Sequence, residues 1–474
     1  MKMKKIVALG ISMAMVLGVV AACSDKDSSD TTTAATTTAA TTADAGSSDE
    51  TEASSDETDA TAAPDQGVSL DGFTDLGKQD ATNDGTDPIL VWSWNEEVGD
   101  YISQYSDVAI TYENVGGGDQ NTYQTALDAA LASGDEAPDL YVTDASWTQR
   151  FIQSDNSLPV NELGIDYADL TDMYAYTLNF SDDDEGVIKG LAWQANPAGV
   201  FYNRTVAQEY LGVSEPADVQ EYFSTWDKFL QTAKDINTAS NGEVKALSAI
   251  EDMWQPFQNT RTQAWIKDGE IVIDPALEEY FDFAKTLYDE KLTFETGQWN
   301  ANWTGNAAND KVLSFWGPMW LGRFSLEMSN ETNPTYGNWG LVKAPVDYYW
   351  GGTWMMASKT CDMKADAGQI IYDLCIDNAN LKDMATSKGE YVNSVSIMKA
   401  IAEDSSFGLE WLGGQNPFTV LFEVAQGIDY STIGVNDGKI NDAFSSAVGS
   451  YCSGDYETIA DAEAAFKAEA KDLI

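Results

Sequence analysis

Tryptophan beside a carboxylate, an amide or a glycine is the recurring combination in this sequence that could recognise a small polar molecule. Its densest instance is residues 189–204, KGLAWQANPAGVFYNR. The stretch reads as a strand through Trp193, a break at Asn196 and Pro197, and a second apolar strand. Pro197 has no N–H and biases Asn196 toward an extended backbone. The segment therefore reads as a crossing between two units, with Trp193 and Asn196 held at the crossing. An indole face covers apolar C–H surface and an amide meets hydroxyls, which suits a ligand with both. The same combination marks Trp94 and Glu96, Trp254, Trp316 and Trp320, and Gly352 and Trp354 as candidate binding residues, and Asp144 joins them at the end of an apolar run. A structural reading stands beside each: a core tryptophan, or, for Asp144, the N-cap of a helix starting near Ala145.

Much other chemistry is excluded. The chain has no histidine, so it cannot by itself build a Ser-His-Asp triad or a histidine-ligated zinc site. Cys23, Cys361, Cys375 and Cys452 show no C-x-x-C spacing, and neither a metal nor a cofactor is expected. Gly116, Gly117 and Gly118 do not fit the dinucleotide pattern G-x-G-x-x-G. The acidic run at 181–186 lacks the full calcium-loop pattern and reads as a solvated hairpin turn. A formal net charge of -51 repels nucleic acid and anionic membrane surfaces. Fifteen tryptophans exceed what a core of this size needs, and four of them lie at 299, 303, 316 and 320, so at least one is expected to face a cleft.

The elements that would position these residues alternate. Apolar runs at 88–94, 108–112 and 138–142 read as strands, and 123–131 has helical spacing, which together make a βαβ unit. Trp94, Glu96 and Asp144 then fall at carboxyl ends of strands, where open α/β sheets gather ligands. Amphipathic helices follow near 225–236, 275–291, 366–377 and 458–473. Residues 337–345 read as a strand and a second crossing.

The first residues carry an address. Lysines at the start and an apolar run to Ala22 make a secretory signal, residues 1–22. Residues 23–87 are Ser, Thr, Ala, Asp and Glu-rich and read as a disordered tether, with 68–76 the one part apolar enough to pack as an arm. Setting Cys23 aside leaves three cysteines, compatible with one disulfide or none.

Four blocks resemble the extracellular solute-binding proteins of carbohydrate ABC importers, the maltose-binding-protein-like family. They are VAAC at 20–23, similar to a lipoprotein signal box; PDLYVTD at 138–144; GLAWQANPAGVFYNR at 190–204 with TWDKFLQTAK at 225–234; and WGPMW at 316–320 followed by VKAP and WGGTWMMASK at 342–359. The resemblance implies an α/β, two-lobe, type II periplasmic-binding-protein-like fold with crossing strands. Residues 88–195 with about 340–390 would form one lobe, and 196–339 with about 391–474 the other. It implies a sugar in the cleft, no catalysis, and delivery to an ABC permease. It also implies a monomer held by lipid on Cys23 at the outer face of the bacterial cytoplasmic membrane. Trp193, Trp320, Trp354 and Asp144 match positions the family often gives to the sugar; Trp94, Glu96, Asn196, Trp254, Gly352 and Glu390 match less closely. WGPMW departs from the family's usual single Trp, which leaves open whether Trp316 or Trp320 faces sugar. Two alternatives remain: a secreted glycoside hydrolase, which needs two carboxylates and no histidine, and a polyamine-binding protein using cation–π contacts.

Overall fold

The computed structural model describes residues 68–134, 137–294 and 296–473. The signal, Cys23 and most of the expected tether lie outside the described residues.

Two sheets carry the fold. The first has the order β2-β1-β3-β11-β4, built from β1 (Ile89–Ser93), β2 (Ile110–Asn114), β3 (Leu140–Asp144), β4 (Leu191–Ala192) and β11 (Thr353–Ala357). β1 runs parallel to β2 and β3, while β11 runs antiparallel to β3 and β4. The helices α1 (Glu97–Tyr105) and α2 (Gln120–Ser133) connect the parallel strands, and α3 (Ala145–Ile152) follows β3. This is the expected βαβ unit.

The second sheet centres on β5 (Pro197–Asn203). It pairs antiparallel with β8 (Ser314–Gly317), β9 (Trp339–Val342) and β10 (Tyr348–Tyr349). A small hairpin, β6 (Ile266–Lys267) with β7 (Glu270–Ile271), stands apart. All seven residues of β5 are buried because both its faces are covered. Ala198, Val200 and Tyr202 enter one core with Phe229, Phe281 and Phe444, whereas Phe201 points the other way onto Trp411. The period of two in a strand produces that division. The helices Trp226–Ala239, Pro275–Asp289, Asp437–Ser453 and Ile459–Ala470 supply the first of these cores. The first lobe packs around Ile89, Val91, Leu140, Val142 and Met355, in a core continuous with Phe201, Phe315 and Leu341 on the other face of the second sheet.

Three segments link the lobes. One is residues 193–196, between β4 and β5. The second is 350–352, between β10 and β11. The strand expected to begin the return at 340 pairs instead with β5, so the second sheet keeps the chain for about ten residues longer. The third is 390–393, where Ala195 N–H donates to Tyr391 O (3.1 Å) and Asn393 N–H to Trp193 O (2.8 Å). Asn196 is not extended as Pro197 predicts; its φ is 53°, the left-handed region that asparagine tolerates better than most residues.

Residues 68–87, placed with the tether by composition, run along the first lobe. Val68, Leu70 and Phe73 pack on its core, and Thr74 N–H donates to Gly186 O (2.8 Å) and Gln79 N–H to Asn161 O (3.0 Å). Those apolar side chains and backbone partners offset the ordering entropy of residues 68–87. Cys361, Cys375 and Cys452 are free, buried thiols. No described helix is long and apolar enough to cross a membrane.

Candidate functional site

The strand ends and helix starts of both lobes surround a cleft of about 900 Å³. On the first lobe, Trp94 follows the end of β1 and β3 ends at Asp144. Trp94 is held edge-on by Tyr123 (5.6 Å) and Trp147 (5.7 Å). Asp144 serves both readings made of it. Its Oδ1 caps α3 by accepting Ser146 N–H (2.9 Å) and Oγ–H (2.7 Å), and the residue also lines the cleft. Burial raises its pKa above the usual carboxylate range, an effect opposed by the Ser146 hydrogen bonds. On the second lobe Trp254 lines the wall, backed by Tyr280 (5.4 Å) and Phe444 (5.3 Å).

Three more indoles meet there. Trp320 donates its Nε1–H to Trp350 O (3.2 Å) and stands near-parallel to Trp299, with 13° between planes and 6.3 Å between centroids. Trp350 lies edge-on to Trp320 at 5.1 Å. Trp299 is 53% exposed and has φ 72°, a strained conformation for a non-glycine residue. Of the four clustered tryptophans, Trp299 and Trp320 therefore line the cleft. Trp303 and Trp316 are buried.

Six expected site residues lie off this surface. Trp316 points from β8 into the second core against Phe229 (4.9 Å) and donates to Ser314 Oγ. Trp193 is buried and stacks on Tyr101 (5.6 Å). Trp354 faces inward on β11, and its Nε1–H donates to Ser181 Oγ (2.9 Å). Asn196 is buried behind the crossing. Glu96 is exposed and accepts from Asn114 Nδ2 (2.8 Å), while its neighbour Glu97 lines the cleft. Glu390 is fully buried and accepts from Arg323, Tyr101 and Gln194, which leaves it a structural hub rather than a cleft group. Gly352 does line the cleft, at φ 125°. A Cβ there would meet the Trp354 ring at 2.8 Å, so the glycine makes room for Trp354 at least as much as for a ligand.

Trp299, one of the four clustered tryptophans, lines the cleft, and so do Trp350, Tyr349 and the amides Gln120, Asn121, Gln255, Asn259 and Gln298, none of which the sequence singles out as a candidate. The Trp350-Gly351-Gly352 run carried a signal for Trp350, but Trp354 on the other flank was chosen. Isolated amides carry no pattern that would single them out.

The charges are asymmetric. Of the three basic residues lining the cleft, Arg150 is engaged twice by Asp128 (2.7 and 2.8 Å) and Arg261 by Asp437 (2.8 Å), while Lys439 stands without an ion pair among the described residues. Asp119, Asp144, Glu251, Asp429 and Asp442 also line the cleft, and among the described residues none has an ion-pair partner. The walls thus present indole faces, amides and hydrogen-bond-accepting carboxylates. Such a surface can hold a hydroxyl-rich ring by stacking and by charge-assisted hydrogen bonds.

A two-lobed α/β fold with a cleft between its sheets, closed behind by crossing segments, defines a type II solute-binding architecture. Residues 98–405 match the family of bacterial extracellular solute-binding proteins, well over half of the chain, and the chain belongs to that family. No curated protein matches it by sequence. Among solved structures it is similar to an ABC-transporter-associated binding protein of B. animalis subsp. lactis in complex with β-1,6-galactobiose. That pair has TM-score 0.66 and 19% identity, covering 82% of this chain and 97% of the other. It is similar to the galacto-N-biose/lacto-N-biose I-binding protein of Bifidobacterium longum (TM-score 0.62, 15% identity, 83% and 97% covered). A cyclic α-maltosyl-1,6-maltose binding protein from Arthrobacter globiformis gives TM-score 0.60 at 19% identity, with 82% and 99% covered. At these identities the likeness is one of fold.

Proposed function

We propose that this chain is the substrate-binding lipoprotein of an ABC importer that captures an oligosaccharide between its lobes and presents it to a membrane permease. The observation that carries the reading is the group of indoles, Trp94, Trp254, Trp299, Trp320 and Trp350, on the walls of one cleft of about 900 Å³ among unpaired carboxylates and amides. Stacking on pyranose C–H faces contributes about 1 kcal/mol per ring beyond area burial. A cleft of that size and several stacking faces suit more than one sugar ring. The sugar ligands of the similar structures support the same class.

The chain acts as a monomer without catalysis, tethered at the outer face of the cytoplasmic membrane by a diacylglyceryl group on Cys23. The signal-like start and the VAAC run at 20–23 support the anchor. The unpaired carboxylates favour one second reading, a cationic ligand such as a polyamine. Calorimetric titration against mono- and oligosaccharides and polyamines, with the glycan's mass read afterwards, tests the proposal. Saturable binding of one glycan class at unchanged mass is expected. Binding of polyamines alone, or cleavage of the glycan, overturns it.

A further inference from the structure

Beside the 350–352 crossing, whose Gly352 O accepts from Ala145 N–H at the start of α3 (3.3 Å), the lobes meet again. The meeting point is the first turn of α3 on the first lobe against the first turn of the helix Asp437–Ser453 on the second. Ser146 and Gly438 both line the cleft, so the contact lies at its edge. The two backbones approach so closely that an ideal Cβ on Gly438 would run into the carbonyl oxygen of Ser146. It would lie 3.2 Å from the Ser146 carbonyl carbon and 3.6 Å from the Ser146 Cβ. Gly438 sits outside the left-handed region, where any residue is accommodated. Its backbone conformation therefore does not call for glycine; the approach of the other lobe does.

Position matters as much as size. Gly438 is the second residue of a helix whose later turns carry Ile440, Ala443, Phe444 and Ala447 into the second core. Ser146 is fixed in turn by Asp144, which caps α3 through the Ser146 N–H and Oγ–H. Each side of the contact is thus anchored to its own lobe. A side chain inserted between them would displace one lobe against the other rather than a loose loop.

We propose that Gly438 is the positioning residue for the approach of the two lobes at the cleft edge: they pack to this distance because position 438 has no side chain, a small residue there eases them slightly apart, and a bulky one holds them well apart. The inference concerns the lobes alone and holds whichever solute fills the cleft. It also separates two glycines on one helix. Gly449 has open space around its Cβ position, so a side chain there meets nothing.

The test uses the chain from Ser24 onward and no ligand, so a failed glycan titration has no bearing on it. In the first arm Ser146→Cys and Gly438→Cys are combined under mild oxidation. The Cβ–Cβ separation of 3.6 Å falls within the range of natural disulfides. That range extends to about 4.5 Å, so the lobes can ease apart enough to relieve the carbonyl contact and still be bridged. Cys361 and Cys452 do not compete, because burial pushes their thiols up to about 12 and about 11. Most of the double variant is expected to cross-link and neither single variant to do so. In the second arm small-angle scattering compares G438W and G449A with the unsubstituted chain. The radius of gyration is expected to rise for G438W, stay unchanged for G449A, and lie at or near the unsubstituted value for the cross-linked chain. A double variant that stays reduced, or a G438W chain with the unsubstituted radius, overturns the proposal.

Discussion

Single side chains decide what the cleft can hold, and Trp316 and Trp320 show how little separates the two fates. Four residues apart, one is core and the other is wall. Trp316→Ala should remove a buried indole and destabilise the fold by about 3–5 kcal/mol, seen as a lower denaturation midpoint. Trp320→Ala should leave the midpoint nearly in place and weaken glycan binding by roughly tenfold, measured by calorimetry. Asp144 combines two jobs that substitution can separate. Asp144→Asn keeps an acceptor for the Ser146 N–H and should hold stability while lowering affinity. Asp144→Ala loses the cap as well, with a further cost of about 1 kcal/mol in thermal unfolding. Residue types were legible in the sequence; their direction often was not. Trp193 lies in the crossing and Trp354 on β11, but both rings turn inward, onto Tyr101 and Phe180. Glu390 matched a family sugar position, but its pairing with Arg323, far away in sequence, makes it structural.

Elements hold those side chains through buried polar groups. Asp252 is buried and accepts from Ala249 N–H (3.0 Å), Trp303 Nε1–H (2.7 Å) and Gln298 Nε2–H (3.2 Å). It thereby fixes the segment that carries Trp299 at the cleft. Burial raises its pKa to about 7, against an ordinary value of 3.8. The folded chain therefore retains a proton there that the unfolded chain gives up. That contribution to stability is full below pH 3.8, falls as pH rises toward about 7, and is flat above it. Asp252→Asn, which cannot ionise, should lack the fall. Thermal melts of the two proteins from pH 4 to pH 8 should show the variant gaining on the wild type as pH rises; parallel curves would sink the assignment. The Glu390 hub is a second such support. Glu390→Ala leaves Arg323 without its fully buried partner and should cost about 3–5 kcal/mol in chemical denaturation. Strands and helices of the first lobe were readable from periodicity, since apolar runs bounded by Pro and Gly mark them. The third crossing was not: residues 390–393 (EYVN) have no strand pattern, and the lobe change near 390 was implied only by the family resemblance; pairing with 193–195 and the side-chain bonds of Glu390, Tyr391 and Asn393 order it.

Across the whole molecule, the architecture follows from one strand buried on both faces and three crossings behind a cleft. An α/β fold with a crossing between two units was legible from the order of elements, and the two-lobe architecture and extracellular solute-binding family from the resemblance of four spaced blocks. The lobe boundary near 340 was misjudged, because β9 and β10 have the same apolar composition whichever sheet they join. A chain of charge -51 whose cleft retains unpaired carboxylates repels anions at both scales.

The central claim is that the indole-lined cleft takes up an intact oligosaccharide. Intrinsic tryptophan fluorescence tests it most directly, because Trp94, Trp254, Trp299, Trp320 and Trp350 all line the space the ligand would fill. Titration with neutral oligosaccharides should give a saturable spectral shift with one glycan class, diminished in Trp320→Ala, while the glycan's mass stays unchanged. No shift with any glycan, or a shift that Trp320→Ala leaves whole, would contradict the account.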